Sequence, residues 1–544
     1  MTTALDIKNL SLSIQERNIL RDVSLQLKKG EITGLVGRSG SGKSLTAFSV
    51  MGLAPRQAHT TGEVIFKGQN LLSLTEETLS RHRGKNISMI FQEPLTALNP
   101  VQSIETQVSE IFCIHERLSR KDAVEKAHAA LEKAGLPPSI ISPKRFPHEL
   151  SGGQRQRALI AAAIALKPTV LLADEPTTAL DVTTQAEILD RLHTLCREDG
   201  IAVLLISHDL GVVAQYSDTL AIMSEGAIVE HSSRNVAGAA GAGLKSQEFK
   251  NLTAPLPVRE TRKHSPKDVI LSVNKLHCEY PGKSEKLFSR ADPYRAVEDV
   301  SFKVRPGESF GVIGESGSGK STLARTLLGL HQPTQGSIAI DGRTVVGEGC
   351  RMSNEAWRKT QIVFQDPYSS FNPRHSVERI VGEPLHLLEN PPTGPERRKR
   401  VEDALLSVGL EASHADRFPD AFSGGQRQRI AIARALAVEP KIIVFDEATS
   451  ALDIISRNKI LTLLANLRHN RNVSYIFVSH DMNIIRHVCD RVAVMKDGKF
   501  IEMGDTQTIF EKPTHDYTKK LVAAAASLQS ALDALTDLQH AEAE

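Results

Sequence analysis

The chain is written twice over, and that internal duplication constrains its fold more than any other feature. GRSGSGKS at 37–44 returns as GESGSGKS at 314–321, FQEPLTALNP at 91–100 as FQDPYSSFNP at 364–373, and SGGQRQR at 151–157 as SGGQRQR at 423–429. ADEPTTALD at 173–181 pairs with FDEATSALD at 445–453, and SHD at 207–209 with SHD at 479–481. The offset is 277 for Lys43 and Lys320, 273 for Gln92 and Gln365, and 272 for His208 and His480. Near-constant spacing across five motifs requires two homologous domains in tandem. At roughly 100 to 200 residues per domain, 544 residues give each half a sizeable core.

Between the repeats, 232–267 is rich in Ala, Gly, Ser and Pro without sustained periodicity, and reads as a flexible linker. About 36 such residues span on the order of 30 Å, enough for the halves to face each other. The division expected is therefore a first domain over 1–231, the linker over 232–267, a second domain over 268–521 and a tail over 522–544. The tail carries Leu528, Leu532, Leu535 and Leu538 at helical spacing and reads as one amphipathic helix packed on its own domain, with a partner helix as the alternative.

Each half has the same rhythm of apolar strand, Gly-rich turn and helix, which predicts an α/β fold with a largely parallel sheet. Ile32 to Val36 and Phe310 to Ile313 run into the Gly-rich turns. Val170 to Ala173, Ile442 to Phe445, Ala202 to Ile206 and Tyr475 to Val478 are short continuous apolar runs, as strands buried on both faces require. Each ends on a polar residue, and the carboxyl ends of parallel strands are where such sheets bind ligands.

Composition excludes several classes. Lys plus Arg at 66 against Asp plus Glu at 64 leaves +2, no footprint for wrapping nucleic acid. The five cysteines are scattered singly, without CxxC, so neither a disulfide scaffold nor a zinc site is expected, and a reducing cytoplasm is the simpler reading. Asp6 and Lys8 interrupt any signal-peptide core. The longest apolar run, Ala158 to Leu166, is half of the roughly 18 to 20 residues of a membrane span, so the chain is not expected to cross a bilayer alone.

The motifs specify chemistry. GxxxxGK[ST] wraps backbone N–H groups around a polyphosphate at a helix start, where free donors and the helix dipole favour anions. Gly37, Gly40 and Gly42 let the backbone bend and approach closely, Lys43 neutralises outer phosphates and Ser44 is placed to ligate Mg²⁺; Gly314, Gly317, Gly319, Lys320 and Ser321 repeat these roles. Ser39, Ser316 and Thr322 complete the expected nucleotide contacts. Asp174 and Asp446, at the ends of buried strands, suit the second Mg²⁺ position. The adjacent Glu175 and Glu447 are expected to polarise the attacking water as general bases. His208 and His480 each follow an apolar strand and a serine and precede Asp, which favours a γ-phosphate contact over a helix cap. Gln92 and Gln365, at matched positions between loop and Asp-Glu pair, are expected sensors and metal contacts.

Together these residues resemble the ATP-binding cassette ATPase family, and the resemblance covers almost the whole chain except the linker and tail. LSGGQ (Leu150 to Gln154) and FSGGQ (Phe422 to Gln426) look like its signature loops. A Ser and two Gly ahead of a helix form a second anion cradle, which the family uses in trans on nucleotide held by the opposite domain. The resemblance so assigns Ser151, Gly152, Gly153 and Gln154, and Ser423, Gly424, Gly425 and Gln426, to ATP binding. ALD at 179–181 and 451–453 look like D-loops crossing that interface. Both composite sites would form within one chain by pairing of its cassettes, with a helical signature subdomain in each, and both should be hydrolytically competent. One departure is the adenine-stacking aromatic: counting back from the loops reaches Ile14 and Ala291, leaving Tyr280 or Tyr294 to serve the second half.

The extended Q-loops, and PTHDYTKKL at 513–521, look like the dipeptide, oligopeptide and nickel importer subfamily, whose fused two-cassette members of glutathione and microcin-C type share this length and layout. The first half has no clear counterpart of the HDYT segment. The resemblance implies two separate integral-membrane permeases, an external solute-binding protein acting indirectly, and a peripheral location on the cytoplasmic face of the inner membrane. The competing class, a soluble tandem cassette ATPase acting on ribosome or DNA, usually carries a long charged helical linker, CxxC insertions or long coiled coils, which this chain lacks. An exporter ATPase stays open, because direction is encoded in the membrane subunits.

Overall fold

The structure, a computed structural model, describes residues 2–178, 180–233, 244–256, 268–282, 293–449 and 452–540. It forms two units: Met1–Ala254 with Asp453–Ile455 and Ala526–Glu544, and Pro255–Leu452 with Ser456–Ala525.

The first unit is built on a six-stranded sheet in the order Ala227–Ser233, Thr219–Ser224, Ile32–Gly37, Ala202–Ser207, Val170–Asp174, Ile87–Ile90, parallel throughout except for the first of these. The inner strands Ile32–Gly37, Ala202–Ser207 and Val170–Asp174 are buried at every residue, as their unbroken apolar runs require. A smaller antiparallel sheet, Arg17–Lys28, Thr3–Ile14, Ala58–Phe66 and Gln69–Asn70, shares one core with it. Its long strands alternate buried and exposed residues, Val23, Leu25 and Leu27 pointing inward. On the opposite side, helices Ile104–Glu116, Arg120–Lys133 and Gly152–Ile164 pack a second core around Phe112, Leu131 and Ile160. The Ala158 to Leu166 run thus belongs to a buried helix of this helical subdomain.

The second unit repeats the plan. Its six-stranded sheet runs Thr360–Val363, Ile442–Asp446, Ser474–Val478, Ser309–Ile313, Arg491–Lys496, Lys499–Asp505, with only the last pairing antiparallel. The antiparallel sheet is Tyr294–Val304, Leu271–Tyr280, Gln335–Ile340, Arg343–Val346. No helix among the described residues is long and apolar enough to cross a membrane.

Two sequence expectations are corrected. The segment 232–267 is not linker throughout: Ser246 caps a helix, Gln247–Leu252, that buries Phe249 completely beside Val36, Ile222 and Leu244. Six residues are too short to show a helical period, so only the cap and the apolar pair mark it. The stretches 234–243 and 257–267 lie outside the described residues. The tail, in turn, does not pack on its own domain. The helix Asp516–His540 starts earlier than expected, and its Leu528, Leu532 and Leu535 lie against cores of the first unit. The side chain of Leu538 lies outside the described residues.

Phe249→Ala is expected to cost the first unit about 3 kcal/mol, the usual range for emptying a fully buried phenyl site. Differential scanning calorimetry of the full chain checks it: a linker not docked on the core would leave the transition unchanged.

Candidate functional site

The strand register delivers the site. In the first unit Val36 pairs with Ser207 and Ile206 with Asp174, so the phosphate loop, His208 and Glu175 leave neighbouring strand ends together. In the second, Val312 pairs with Val478 and Val478 with Asp446, with the same result.

Each loop is bent by glycines for which no other residue would serve. Gly42 and Gly319 begin the phosphate helices Lys43–Val50 and Lys320–Leu327 with φ of +105° and +103° and no side-chain cap. A Cβ on Gly319 would stand 2.0 Å from the Ala296 carbonyl oxygen, and one on Gly42 2.6 Å from Leu20. At the tips, a Cβ on Gly40 or Gly317 would meet nothing within 4 Å, leaving an open concavity over the helix start. Ser39 and Ser316 lie exposed there. Lys43 Nζ donates to the carbonyls of Gly37 (2.8 Å) and Arg38 (2.9 Å), and Lys320 Nζ to those of Gly314 (2.8 Å) and Glu315 (2.7 Å). Burial pushes the Lys43 ammonium below its usual range, opposed in order by Glu175, Asp174, Asp453 and Glu248.

Ser44 Oγ donates to Asp174 Oδ1 (3.0 Å) and Ser321 Oγ to Asp446 Oδ1 (3.1 Å). Burial raises both carboxyls, Asp174 to about 6, against the serine hydrogen bonds that lower them. A carboxylate destabilised by burial next to a hydroxyl is an all-oxygen donor set of the kind a hard divalent cation takes. One pair was not singled out from the sequence: Ser41 and Ser318 are buried, and neither Oγ has a hydrogen-bond partner. Orphaned hydroxyls at one matched position in both loops fit a ligand rich in acceptor oxygens. The signal was present, since serine stands at that place in both copies of the motif.

Glu175 and Glu447 hold left-handed backbone, φ 47° and 50°, rare for residues with a Cβ and costing on the order of 1 kcal/mol or more. Their N–H groups donate to Ile206 O (3.0 Å) and Val478 O (2.8 Å), fixing the turn. Glu175 Oε2 accepts from Gln92 Nε2 (2.9 Å) and Thr178 Oγ1 (2.8 Å) and lies 3.2 Å from His208 Nδ1. Glu447 Oε1 lies 3.3 Å from His480 Nδ1. Burial raises these carboxyls, but His208 with Thr178 and Lys43 together outweigh it at Glu175, which falls to about 2, and His480 with Lys320 does so at Glu447, which falls as well. His480 moves oppositely: burial lowers it, and Glu447 raises it further. Thr178, three residues past the glutamate, was not singled out from sequence; its counterpart Ser450 lies outside the described residues. Gln365 is exposed and makes no hydrogen bond among the described residues, so the Gln92 contact belongs to the first site alone.

The signature residues form helix caps. Ser151 Oγ accepts from the Gln154 N–H (3.3 Å) while Gln154 Oε1 accepts from the Ser151 N–H (3.0 Å), and Ser423 and Gln426 repeat the box at 3.4 and 3.0 Å. Gly152 and Gly153, and Gly424 and Gly425, open the helices Gly152–Ile164 and Gly424–Leu436. A Cβ on Gly153 would stand 2.6 Å from Thr184 Cγ2. None of these bonds reaches the phosphate loop of the same half. Asp181, after the undescribed Ala179, caps the helix Val182–Asp199 through the Thr184 N–H (3.0 Å), and Ala451 is likewise undescribed.

Of the aromatic candidates, Tyr294 is 59% exposed and its hydroxyl donates to the Gly317 carbonyl (3.4 Å), at the rim of the second loop. Tyr280 is instead stacked on His331 (4.7 Å between ring centroids), with its hydroxyl 3.3 Å from Thr322 Oγ1. Ile14 packs against the core of the first unit, and Ala291 is outside the described residues.

Comparison with known proteins shows the family to which the chain belongs. A family model described as ABC transporter matches residues 20–178 and 297–450, more than half of the chain. The chain is 39% identical over 541 residues to the peptidoglycan transport ATP-binding protein YejF of Agrobacterium fabrum, covering 97% of each. It is 40% identical over 542 residues to the glutathione import ATP-binding protein GsiA of Salmonella choleraesuis, covering 94% of this chain and 87% of that one. Among solved structures, cbiO1 from Clostridium perfringens, part of the ABC transporter complex cbiONQ, is 30% identical with a TM-score of 0.38, over 45% of this chain and 93% of that one.

Gly42→Ala and Gly319→Ala are each expected to abolish nucleotide binding at their own loop, given the φ and the clash. Calorimetric titration with ATP should count two sites in the unmodified chain and one in either variant.

Proposed function

The chain belongs to the ABC transporter family, and we propose that it is the ATP-hydrolysing subunit of an importer for peptides or related small solutes, working on separate membrane permeases. The observation that carries the reading is a complete set in each half: an open phosphate loop with its lysine, a serine–aspartate oxygen pair, and a strained glutamate held by a histidine.

Each part has a task in phosphoryl transfer to water, where positioning and charge stabilisation supply the rate. The N–H groups at the start of the phosphate helices take the β- and γ-phosphates, with Lys43 and Lys320 turning from the loop carbonyls to the phosphate oxygens. Mg²⁺, held by Ser44 and Asp174 and by Ser321 and Asp446 with Gln92 and Gln365 near, would neutralise phosphate charge. Glu175 and Glu447 receive the proton of the attacking water. His208 and His480 orient those carboxylates and contact the γ-phosphate. The left-handed turn holds each glutamate at its strand end against its histidine. Tyr294, exposed at the rim of the second loop, is assigned to stack on the base there.

Ser151 to Gln154 and Ser423 to Gln426 are assigned to nucleotide held by the opposite cassette, so the two halves pair within one molecule. The names of the relatives, glutathione import and peptidoglycan transport, support a peptide-like cargo that touches the permeases and a binding protein outside the cell. The chain itself then sits peripherally at the cytoplasmic face of the membrane, with no part in binding nucleic acid.

Glu175→Gln with Glu447→Gln is expected to abolish phosphate release while retaining ATP; undiminished hydrolysis in the double variant sinks the assignment. Affinity purification from gently solubilised host membranes in the presence of ATP is expected to bring down two multi-span permeases. Recovery of ribosomal proteins instead would overturn the transport reading and leave the ATPase chemistry standing.

A further inference from the structure

Besides the exchange of Arg38 for Glu315 within the phosphate loop, the two halves differ at a buried position beside it. The loop glycines fix the correspondence: a Cβ on Gly42 would lie 3.0 Å from Met223 Cε, and one on Gly319 2.9 Å from Met495 Cε. Met223 and Met495 therefore hold the same place, and Ser224 and Lys496 follow them. Ser224 Oγ donates to Glu248 Oε2 (3.4 Å), while Lys496 Nζ lies 4.8 Å from the centre of the Tyr517 ring. Glu248, on the helix Gln247–Leu252, thus stands where Tyr517 stands on the helix Asp516–His540. The short helix is the first half's counterpart of the HDYT segment, hidden from sequence comparison because a glutamate replaces the tyrosine.

The replacement changes what the loop feels. Tyr517 presents a neutral hydroxyl, which accepts the N–H of Glu315 in the second loop (2.9 Å). Glu248 is 7% exposed, and its Oε1 has no hydrogen-bond partner. Its charge reaches Lys43, whose environment it makes more negative. The Met223 to Gly226 turn that Ser224 belongs to is bound to the loop through the Gly226 N–H and the Ser41 carbonyl (3.0 Å). A buried carboxylate held on that turn opposes the approach of a polyphosphate, because two like charges near a protein surface are weakly screened at short separation.

We propose that Glu248 sets the affinity of the first nucleotide site, its buried carboxylate weakening the binding of nucleoside triphosphate there. The inference rests on the ATPase reading above.

Equilibrium titration of the full chain with ATP tests it, using Lys320→Ala to isolate the first site and Lys43→Ala to isolate the second. In the Lys320→Ala background, Glu248→Gln and Glu248→Tyr are each expected to tighten ATP binding about tenfold, the scale of one near like-charge interaction. The gain should shrink as salt rises, a dependence that a purely structural role of Glu248 would not give. In the Lys43→Ala background the same substitutions should leave binding unchanged. Unchanged or weakened binding at the first site in both variants overturns the proposal. Failure of the unmodified chain to bind ATP at all overturns the ATPase reading and this assignment with it.

Discussion

The parallel register of the central strands is the constraint on which each site depends. Once Val36 lies beside Ser207 and Ile206 beside Asp174, three turns must leave the same edge of the sheet within one residue of each other. The phosphate loop, the Asp-Glu pair and the histidine turn need no further device to meet. What remains is to hold each turn in shape. Glycines do so for the loop, and a hydrogen bond from the glutamate N–H to the next strand does so for the carboxylate. The second unit reaches the same arrangement from different core residues. Phe445, Tyr475 and Phe477 pack against one another, where the first unit has Ala173, Val203 and Leu205. The edge, and not the filling, is what the two halves share.

Much of this is legible in the amino-acid sequence. A buried parallel strand has few sequence alternatives, so the apolar runs ending at Asp174, Ser207, Asp446 and Val478 can be read directly, and the motif spacing fixes which ends converge. Short capped segments are not legible. The helix Gln247–Leu252 is less than two turns long, and its neighbours are Ala- and Gly-rich, so composition reads it as linker although Phe249 is fully buried. The leucines of the tail announce a helix but not the surface it covers, because periodicity specifies an apolar face and says nothing of its partner. Ser41 and Ser318 escape for another reason: a serine in a Gly-rich loop reads as a turn residue until its hydroxyl is seen to be buried and unpartnered.

The signature motif shows how one set of residues serves two physical demands. Ser-x-x-Gln at a helix start is a capping box, and both copies form it. The serine hydroxyl is thereby held in one rotamer at a helix N-terminus, with its lone pairs toward the backbone. A group fixed in this way is presented to a passing anion at little further cost in side-chain entropy. The same two hydrogen bonds that stabilise the helix start also fix the serine rotamer.

The left-handed glutamates set what can stand at the strand end. Glycine or asparagine occupies that backbone region more easily than glutamate, so either would relax the turn at Glu175 or Glu447 and remove the carboxylate with it. The carboxylate and the ease of the turn therefore pull against each other at a single residue, and in both halves the carboxylate is the one retained.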